Sequence, residues 1–241
     1  MSLRQFYPKR NSRKAVSTQK LFALYAVTVI AILLQVSYPL IDGETLRVVT
    51  IATVYWAAGA MALHALLAYG ARYAFTYLAT TIIFALIVES VGVSTGWPFG
   101  TYEYDVSLGH TIAGVPYVVP FAWVMMVHPV LVAARYVTKG WVFLYGGAGL
   151  MAWDLFLDPQ MVAANRWTWE VTGAHIPFVP DVPLSNFFGW LLAGCAIVAL
   201  LNVALPFERR KESASLRAVT ILLTWVLFSG LVGNLFFFDR P

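Results

Sequence analysis

The sequence predicts an all-α protein, a polytopic membrane helix bundle of about seven transmembrane helices with its N-terminus in the cytoplasm. The first observation is composition: 60% of the 241 residues are hydrophobic and 12% are charged, about half the charged share of a soluble domain. The second is a series of apolar runs long enough to cross a bilayer. The third is the uneven distribution of basic residues among the segments that join those runs.

Seven apolar runs approach or reach the roughly 20 residues that a transmembrane helix needs. Their predicted bounds are 21–41, 48–69, 74–93, 112–134, 141–157, 186–205 and 218–237. The first run is too long for the apolar part of a cleaved signal peptide and lacks a small-residue cleavage site, so we expect a signal-anchor. Residues 1–20 are predicted to form a basic cytoplasmic segment, and residues 21–241 a single seven-helix domain.

The basic residues support this orientation. With a cytoplasmic N-terminus, 13 of the 16 Lys and Arg residues lie in cytoplasmic segments, and only Arg47, Arg166 and Arg240 lie outside. This distribution follows the positive-inside rule. The net charge of +4 is therefore explained by cytoplasmic flanks beside anionic lipid rather than by nucleic-acid binding. We expect a multi-pass protein of the cell membrane.

Small residues and prolines indicate how the spans pack. The fourth span contains Pro116, Pro120 and Pro129, and a proline in a membrane helix frees a backbone carbonyl that a neighbour or a cavity must accommodate. We therefore expect this span to line a cavity. The fifth span contains the run YGGAG at 145–149, which is typical of close helix contacts. The single cysteine, Cys195, cannot form an internal disulfide and is expected to pack as a small apolar residue.

Acidic residues inside the predicted spans are few, and each is costly enough in lipid to suggest a function. Glu89 lies near the non-cytoplasmic end of the third span, Asp154 lies near that end of the fifth, and Asp158 closes the fifth. Asp154 and Asp158 are four residues apart and share a helical face. Burial and like-charge repulsion favour a neutral carboxyl group in such a cluster, and a neutral carboxyl can act as a general acid. The alternatives are structural hydrogen bonds between spans for Glu89 and Asp154, and helix termination at Asp158-Pro159.

Two histidines, His64 and His128, also lie in predicted spans, the second and the fourth. We favour structural roles for both. His128 directly precedes Pro129 and can satisfy the backbone groups that a kink frees. His64 lies on an otherwise apolar span, where the sequence shows no evident partner.

Aromatic side chains are concentrated in two non-cytoplasmic loops, about 94–110 and 158–185, and in the span ends beside them. They are Trp97, Phe99, Tyr102, Tyr104, Trp123, Trp167, Trp169, Phe187 and Trp190. An aromatic belt at the membrane interface explains most of them, but aromatic faces also stabilise cations. A buried acid among such faces suits protonation of an alkene to a carbocation, which water then captures without a cofactor.

The ordered set of these residues resembles the membrane carotenoid biosynthesis proteins, a family that includes gamma-carotene hydratase and bisanhydrobacterioruberin hydratase. The resemblance extends from about residue 75 to 205. It rests on Glu89-Ser-Val-Gly92, Thr95-Gly-Trp-Pro-Phe-Gly-Thr-Tyr102, Asp154 with Asp158-Pro159, Trp167-Thr-Trp169, and Pro183-Leu-Ser-Asn186-Phe-Phe-Gly-Trp190. It implies a hydro-lyase that adds water across the terminal isopropylidene double bond of an acyclic carotenoid end and forms a tertiary alcohol. The implied substrates are lycopene, gamma-carotene or a longer bacterioruberin precursor.

Given this resemblance, we expect Glu89 or Asp154 to protonate the less substituted alkene carbon, with Asp158 as the third catalytic candidate. The candidate substrate-binding residues are Trp97, Phe99, Tyr102, Trp123, His128, Trp167, Trp169, Asn186 and Trp190. Tryptophans among them are expected to stabilise the cation, and the second carboxylate, Tyr102 or Asn186 to hold the capturing water. The polyene is expected to lie along the kinked fourth span, in lipid-facing grooves. We expect no metal and no cofactor, and membrane lipid and other carotenoid enzymes are the expected partners.

Three other functional classes fit parts of the sequence. An intramembrane prenyltransferase would use Asp154 and Asp158 to hold magnesium and diphosphate, but such enzymes resemble each other in carrying two Asp-rich motifs, and this sequence has one. A retinal-binding photoreceptor needs a lysine inside a span, and all five lysines lie in flanks or loops, which excludes that class. A carotenoid- or lipid-binding scaffold or transporter stays open as an alternative.

Overall fold

Helices make up most of the structure. The computed structural model describes residues 15–177, 179–206, 210–211 and 213–236, and seven α-helices lie within that part of the chain. Their bounds are α1 Thr18–Val36, α2 Gly43–Tyr69, α3 Ala71–Thr95, α4 Val118–Val137, α5 Val142–Ala163, α6 Leu184–Ala204 and α7 Arg217–Phe236. The predicted all-α bundle is confirmed. Most of the predicted basic N-terminal segment lies outside the described residues.

Six of the described helices, all except α5, are long and apolar enough to cross a membrane by length and composition. In α5 the apolar sequence is interrupted by Asp154 and Asp158. Both aspartates are only 2% exposed, and α5 packs more extensively on α6 than on any other described helix. The polar groups of α5 therefore face protein, and the chain has the architecture of a multi-pass membrane protein.

The close contact between α5 and α6 depends on glycines. A Cβ atom on Gly194 would lie 3.0 Å from the Cα of Gly147, and a Cβ on Gly146 would lie 2.7 Å from the Val198 side chain. Any larger residue at these positions would separate the two helices. The small-residue run of the fifth helix thus serves helix packing, as the sequence predicts.

The connections between α3 and α4 and between α5 and α6 lie at the same end of the bundle, which we call the loop end. They contain short strands: β1 Tyr102–Tyr104, β2 Thr111–Ile112, β3 Val115–Pro116, β4 Trp167–Trp169, β5 His175–Ile176 and β6 Val179–Pro183. The antiparallel pairs are β1 with β4, β2 with β3, and β5 with β6. In the first pair Tyr102 lies opposite Trp169 and Tyr104 opposite Trp167. This ladder joins the two loops.

The fourth helix begins at Val118 rather than at residue 112. Residues 113 and 114 have φ angles of 49° and 81°, the positive values of a tight hairpin turn, here between β2 and β3. Pro116 therefore lies in β3, and Pro120 lies in the first turn of α4, where no helical N–H is needed. Only Pro129 lies in the interior of α4, so the expectation of three helix prolines is wrong, because hydropathy does not separate an apolar hairpin from a helix start.

Two helices extend further than predicted at the loop end. α5 continues to Ala163 rather than ending near residue 157, and Pro159 lies inside it. The expectation that Asp158 closes the span, and the alternative that Asp158-Pro159 ends the helix at the interface, are therefore wrong. α3 passes residue 93 and ends at Gly96, whose φ of 75° is left-handed. Glu89 and both aspartates consequently lie deeper in the bundle than the sequence indicates.

Candidate active site

Glu89 lies on α3, is 4% exposed, and accepts hydrogen bonds from three side chains. Its Oε2 accepts from the Tyr102 hydroxyl at 2.6 Å and from the Tyr104 hydroxyl at 2.8 Å. Its Oε1 accepts from Trp123 Nε1 at 2.9 Å. An ionised carboxylate only accepts hydrogen bonds, and an indole N–H only donates. This arrangement therefore matches an ionised Glu89 whose charge is held by three neutral donors.

The loop-end ladder positions two of these donors. Residues two apart in a strand point to the same face, so the tyrosines at both ends of β1 reach the same carboxylate. Burial raises the pKa of the Tyr102 and Tyr104 hydroxyls, and the Glu89 charge raises the pKa of both further. Both hydroxyls therefore keep their protons and remain donors.

Asp154 and Asp158 form a second acidic group, which we call the aspartate pair. Asn186 Nδ2 donates to Asp154 Oδ2 at 2.8 Å and to Asp158 Oδ2 at 2.5 Å. Asp154 Oδ1 is buried and has no hydrogen-bond partner among the described residues. Two adjacent carboxylates that share one amide donor repel each other in a low dielectric, and a proton held by the pair removes that repulsion. The pair is thus the place in this site where a transferable proton is favoured.

Glycines bring the α3–α4 loop close to α3 and α6. A Cβ on Gly92 would lie 2.7 Å from the Tyr102 hydroxyl oxygen and 2.9 Å from the Phe99 ring. A Cβ on Gly189 would lie 2.7 Å from the Pro98 carbonyl oxygen and 2.8 Å from the same ring. Phe99 is thereby held between two helices, in direct sequence proximity to the tyrosines that contact Glu89.

Aromatic rings surround the acidic groups. Trp123 and Trp190 are stacked, with ring centroids 4.5 Å apart and planes 13° from parallel. Trp153 meets Trp190 edge-on at 5.6 Å. On the loop side, Trp169 lies 5.9 Å from the Tyr102 ring. These contacts place several π-faces and ring edges around one small space.

That space, which we call the acid cavity, has a volume of about 60 Å³, enough for a few water molecules. It is lined by Glu89, Phe99, Tyr102, Tyr104, Val119, Ala122, Trp123, Trp153, Asp154, Leu157, Asp158, Trp167, Trp169, Asn186 and Trp190. Trp169 Nε1 is buried without a hydrogen-bond partner among the described residues. The cavity therefore combines carboxyl groups and aromatic faces with one donor, Trp169 Nε1, and one acceptor, Asp154 Oδ1, that lack described partners.

The structure brings most of the predicted site residues to this cavity. All three acidic candidates line it, as do Phe99, Tyr102, Trp123, Trp167, Trp169, Asn186 and Trp190. Trp97 does not line it and is 62% exposed. Tyr104 and Trp153 line it but are absent from the predicted site set. Tyr104 is one of the loop aromatics identified from the sequence, and the alternation Tyr-Glu-Tyr at 102–104 is the signal that could have added it to the set, whereas nothing in the sequence marks Trp153.

His128 also lies away from the acid cavity. Its Nε2 lies 3.0 Å from His64 Nδ1, and the other His64 nitrogen lies 3.3 Å from the carbonyl oxygen of Ser215. Tyr69, Tyr73 and Tyr77 contribute rings around His128. The histidine pair thus forms a separate buried polar cluster, and it provides the partner for His64 that is not evident from the sequence.

Comparison with known proteins identifies the family to which this chain belongs. The family model described as "Carotenoid biosynthesis protein" matches residues 48–239. Bisanhydrobacterioruberin hydratase of Haloarcula japonica is 32% identical over 171 residues, which cover 66% of this chain and 56% of that protein. The matched region thus spans little more than half the length of this curated relative. No solved structure matches the chain. Because the family model covers most of the sequence, the chain belongs to the carotenoid biosynthesis protein family.

Proposed function

We propose that this protein adds water to the terminal isopropylidene double bond of an acyclic carotenoid in the cell membrane and forms a tertiary alcohol. Support comes from the family membership and from the relative that is named as a hydratase. It also comes from the acid cavity, where carboxyl groups and aromatic faces lie together. The reaction is redox-neutral, and the chain's own carboxyl groups can perform its proton transfers.

The aspartate pair is the proposed general acid. Glu89 already accepts from three donors, which favours its ionised form. The aspartate pair receives one amide, and Asp154 Oδ1 has no described partner. A proton on Asp154 can therefore be transferred to the less substituted alkene carbon, where a C–H bond forms at the expense of the π-bond.

The tertiary cation that results requires stabilisation in a site shielded from bulk water. The stacked pair Trp123 and Trp190 offers π-faces, and a cation over such a face gains about 0.5–2 kcal/mol. The Glu89 carboxylate adds a fixed negative charge, which acts more strongly in a low dielectric than in water. Its three donors hold that charge in place before the reaction, so no group needs to reorganise as the cation forms.

Water then completes the reaction. Its oxygen bonds to the cationic carbon, and one of its protons returns to the aspartate pair, so the pair ends each cycle as it began. The net change is one alkene and one water converted to one alcohol. Trp169 Nε1 and Asp154 Oδ1 are buried and have no hydrogen-bond partner among the described residues, so both atoms can bind the water.

The observation that carries this proposal is the single cavity that contains both Glu89 with its three donors and the aspartate pair with Asn186. The test is expression in a host that accumulates lycopene or a longer acyclic carotenoid, followed by chromatography and mass spectrometry of the pigments. Hydratase activity adds the mass of one water to the pigment. Unchanged pigment that co-purifies with the protein contradicts the proposal and favours a carotenoid-binding scaffold.

A further inference from the structure

A second and larger cavity lies beside the acid cavity. We call it the long cavity; it has a volume of about 100 Å³ and is bounded by side chains of α1, α2, α4, α5 and α7. Small side chains line its walls, among them Ala31 of α1 and Ala57 of α2, and larger apolar ones complete it, among them Met125 and Leu222. The position of the cavity inside the bundle differs from the lipid-facing groove that the sequence suggests for the polyene.

The two cavities are adjacent and share part of their walls. Val119, Ala122, Trp153, Leu157 and Trp167 line both of them. The two cavities therefore lie next to each other, which is the arrangement that a molecule with one end in the acid cavity needs in order to extend into the long cavity. The shared wall includes two tryptophans, which are flat enough to lie against a planar conjugated chain.

Several polar side-chain atoms that line the long cavity are paired within the protein. The hydroxyls of Thr50 and Thr53 donate to carbonyl oxygens of their own helix at 2.8 Å. Gln35 Oε1 accepts from Trp225 Nε1 at 2.9 Å, and Gln160 Nε2 donates to the Phe156 carbonyl at 2.7 Å. A wall whose polar groups are paired internally favours an apolar occupant, because a polar one would lose its own hydrogen bonds to water.

We infer that the long cavity binds the segment of the substrate's hydrocarbon chain that adjoins the reacting end. This inference rests on the proposed function for the identity of the reacting end. The chain in the long cavity fixes the position of the terminal double bond in the acid cavity, so that binding energy from a part of the substrate remote from the reaction is used to orient the alkene. Ala31 of α1 and Ala57 of α2 are both buried and line the long cavity.

The test narrows the long cavity without touching the acid cavity. Ala57→Leu adds bulk at a position that lines only the long cavity. Gly59→Leu is the matched control, since a Cβ at Gly59 meets no atom within 4 Å and that position is exposed on the same helix. Ala31→Leu adds bulk to the cavity wall from α1 instead of α2. Melting temperatures show which variants fold. If either Ala57→Leu or Ala31→Leu fails to fold, pigment binding and hydration are measured with the other.

Two readouts separate this inference from the proposed function. In the Asp154→Asn background, in which we expect slow turnover, the amount of carotenoid that co-purifies per protein should fall about tenfold with Ala57→Leu and stay unchanged with Gly59→Leu. In the active protein, kcat/KM for carotenoid hydration should fall by a similar factor. If wild-type protein binds pigment through this cavity but does not hydrate it, the proposed function fails while the cavity assignment stands.

Other outcomes overturn the inference. Unchanged pigment binding and hydration in folded Ala57→Leu and Ala31→Leu variants would show that the chain lies elsewhere. Loss of bound lipid, with carotenoid hydration retained, would assign the cavity to a lipid acyl chain. An equal loss with Gly59→Leu would mean that bulk anywhere on α2 disturbs the protein.

Discussion

At the scale of single residues, the two acidic groups of the acid cavity differ in what surrounds them. Glu89 receives an indole and two phenol donors, whereas Asp154 and Asp158 share the amide of Asn186. All three acidic residues can be identified from the sequence, because a carboxyl group in an apolar run is conspicuous. Their different hydrogen-bond environments cannot be predicted from the sequence, because the donors to Glu89 lie 13, 15 and 34 positions away and only the fold brings them together.

Asp154→Asn is expected to reduce carotenoid hydration by about 10²–10⁴-fold, the contribution of a general acid. The amide keeps the shape of the side chain but cannot supply the proton. Hydration rates of purified protein, measured by chromatography of the carotenoid, check this expectation. Asp181→Asn, at an exposed position of β6, is the control and should retain wild-type activity. If the Asp154→Asn variant kept its activity, Asp154 would not be the general acid.

Tyr104 gives a pH-dependent prediction for stability. Burial and the Glu89 charge raise the pKa of its hydroxyl in the folded protein, whereas an unfolded chain loses this proton near about pH 10. Above that pH the folded state binds more protons than the unfolded state, so the free energy of unfolding falls as pH rises. Melting temperatures between about pH 8 and about pH 11 should decline less steeply in Tyr104→Phe than in wild type. The exposed Tyr136→Phe should leave the slope unchanged, and an identical slope in both variants would contradict the assignment.

Among the structural elements, the β1–β4 ladder links the two loops to the Glu89 carboxylate. The ladder places Tyr102 and Tyr104 against Glu89, and Gly92 leaves the space that the Tyr102 hydroxyl occupies. The helices that carry Glu89 and Asp154 follow from apolar runs that the sequence reveals. The ladder cannot be predicted in this way, because each of its strands has only three residues and the two strands lie in different loops.

Gly92→Ala tests this connection by a double-mutant cycle. The added methyl group displaces the Tyr102 hydroxyl from Glu89, so hydration should fall about tenfold to hundredfold, the effect of losing one hydrogen bond to a charged group. In a Tyr102→Phe background the same substitution should have a smaller effect, because no hydroxyl remains to be displaced and only the close ring contacts, such as that with Phe99 at 2.9 Å, are left. Gly59→Ala is the matched control. Additive losses in the cycle would show that Gly92 acts on packing alone.

Errors in the predicted element ends have local physical causes. Hydropathy places residues 112–117 in the fourth helix, yet positive φ angles at 113 and 114 make a hairpin there. A proline after Asp158 suggests a helix end, yet Pro159 lies within α5 because surrounding helices support the chain beyond it. Sequence patterns identify long elements well, whereas turns that depend on one or two backbone angles escape them.

At the scale of the whole molecule, the orientation in the membrane determines where water reaches the site. Of the nine basic residues in the described part of the chain, Arg47 and Arg166 lie at the loop end and the other seven lie at the opposite end, which predicts a non-cytoplasmic loop end. Single-cysteine variants in a Cys195→Ser background test this in intact cells with a membrane-impermeant maleimide. Thr172→Cys, in an exposed loop-end position, should be labelled, and Gly140→Cys, exposed at the other end, should be labelled only after permeabilisation. The reverse labelling pattern would show that the loop end faces the cytoplasm.

The proposed reaction adds water from the solvent across a carotenoid double bond within the acid cavity. Its most direct test is incubation of the purified wild-type protein with lycopene in deuterated, heavy-oxygen water, followed by mass spectrometry and NMR of the product. We expect a tertiary alcohol that contains heavy oxygen and carries carbon-bound deuterium on the carbon next to the carbinol carbon. Recovery of unchanged lycopene, or of an alcohol without either label, would contradict it.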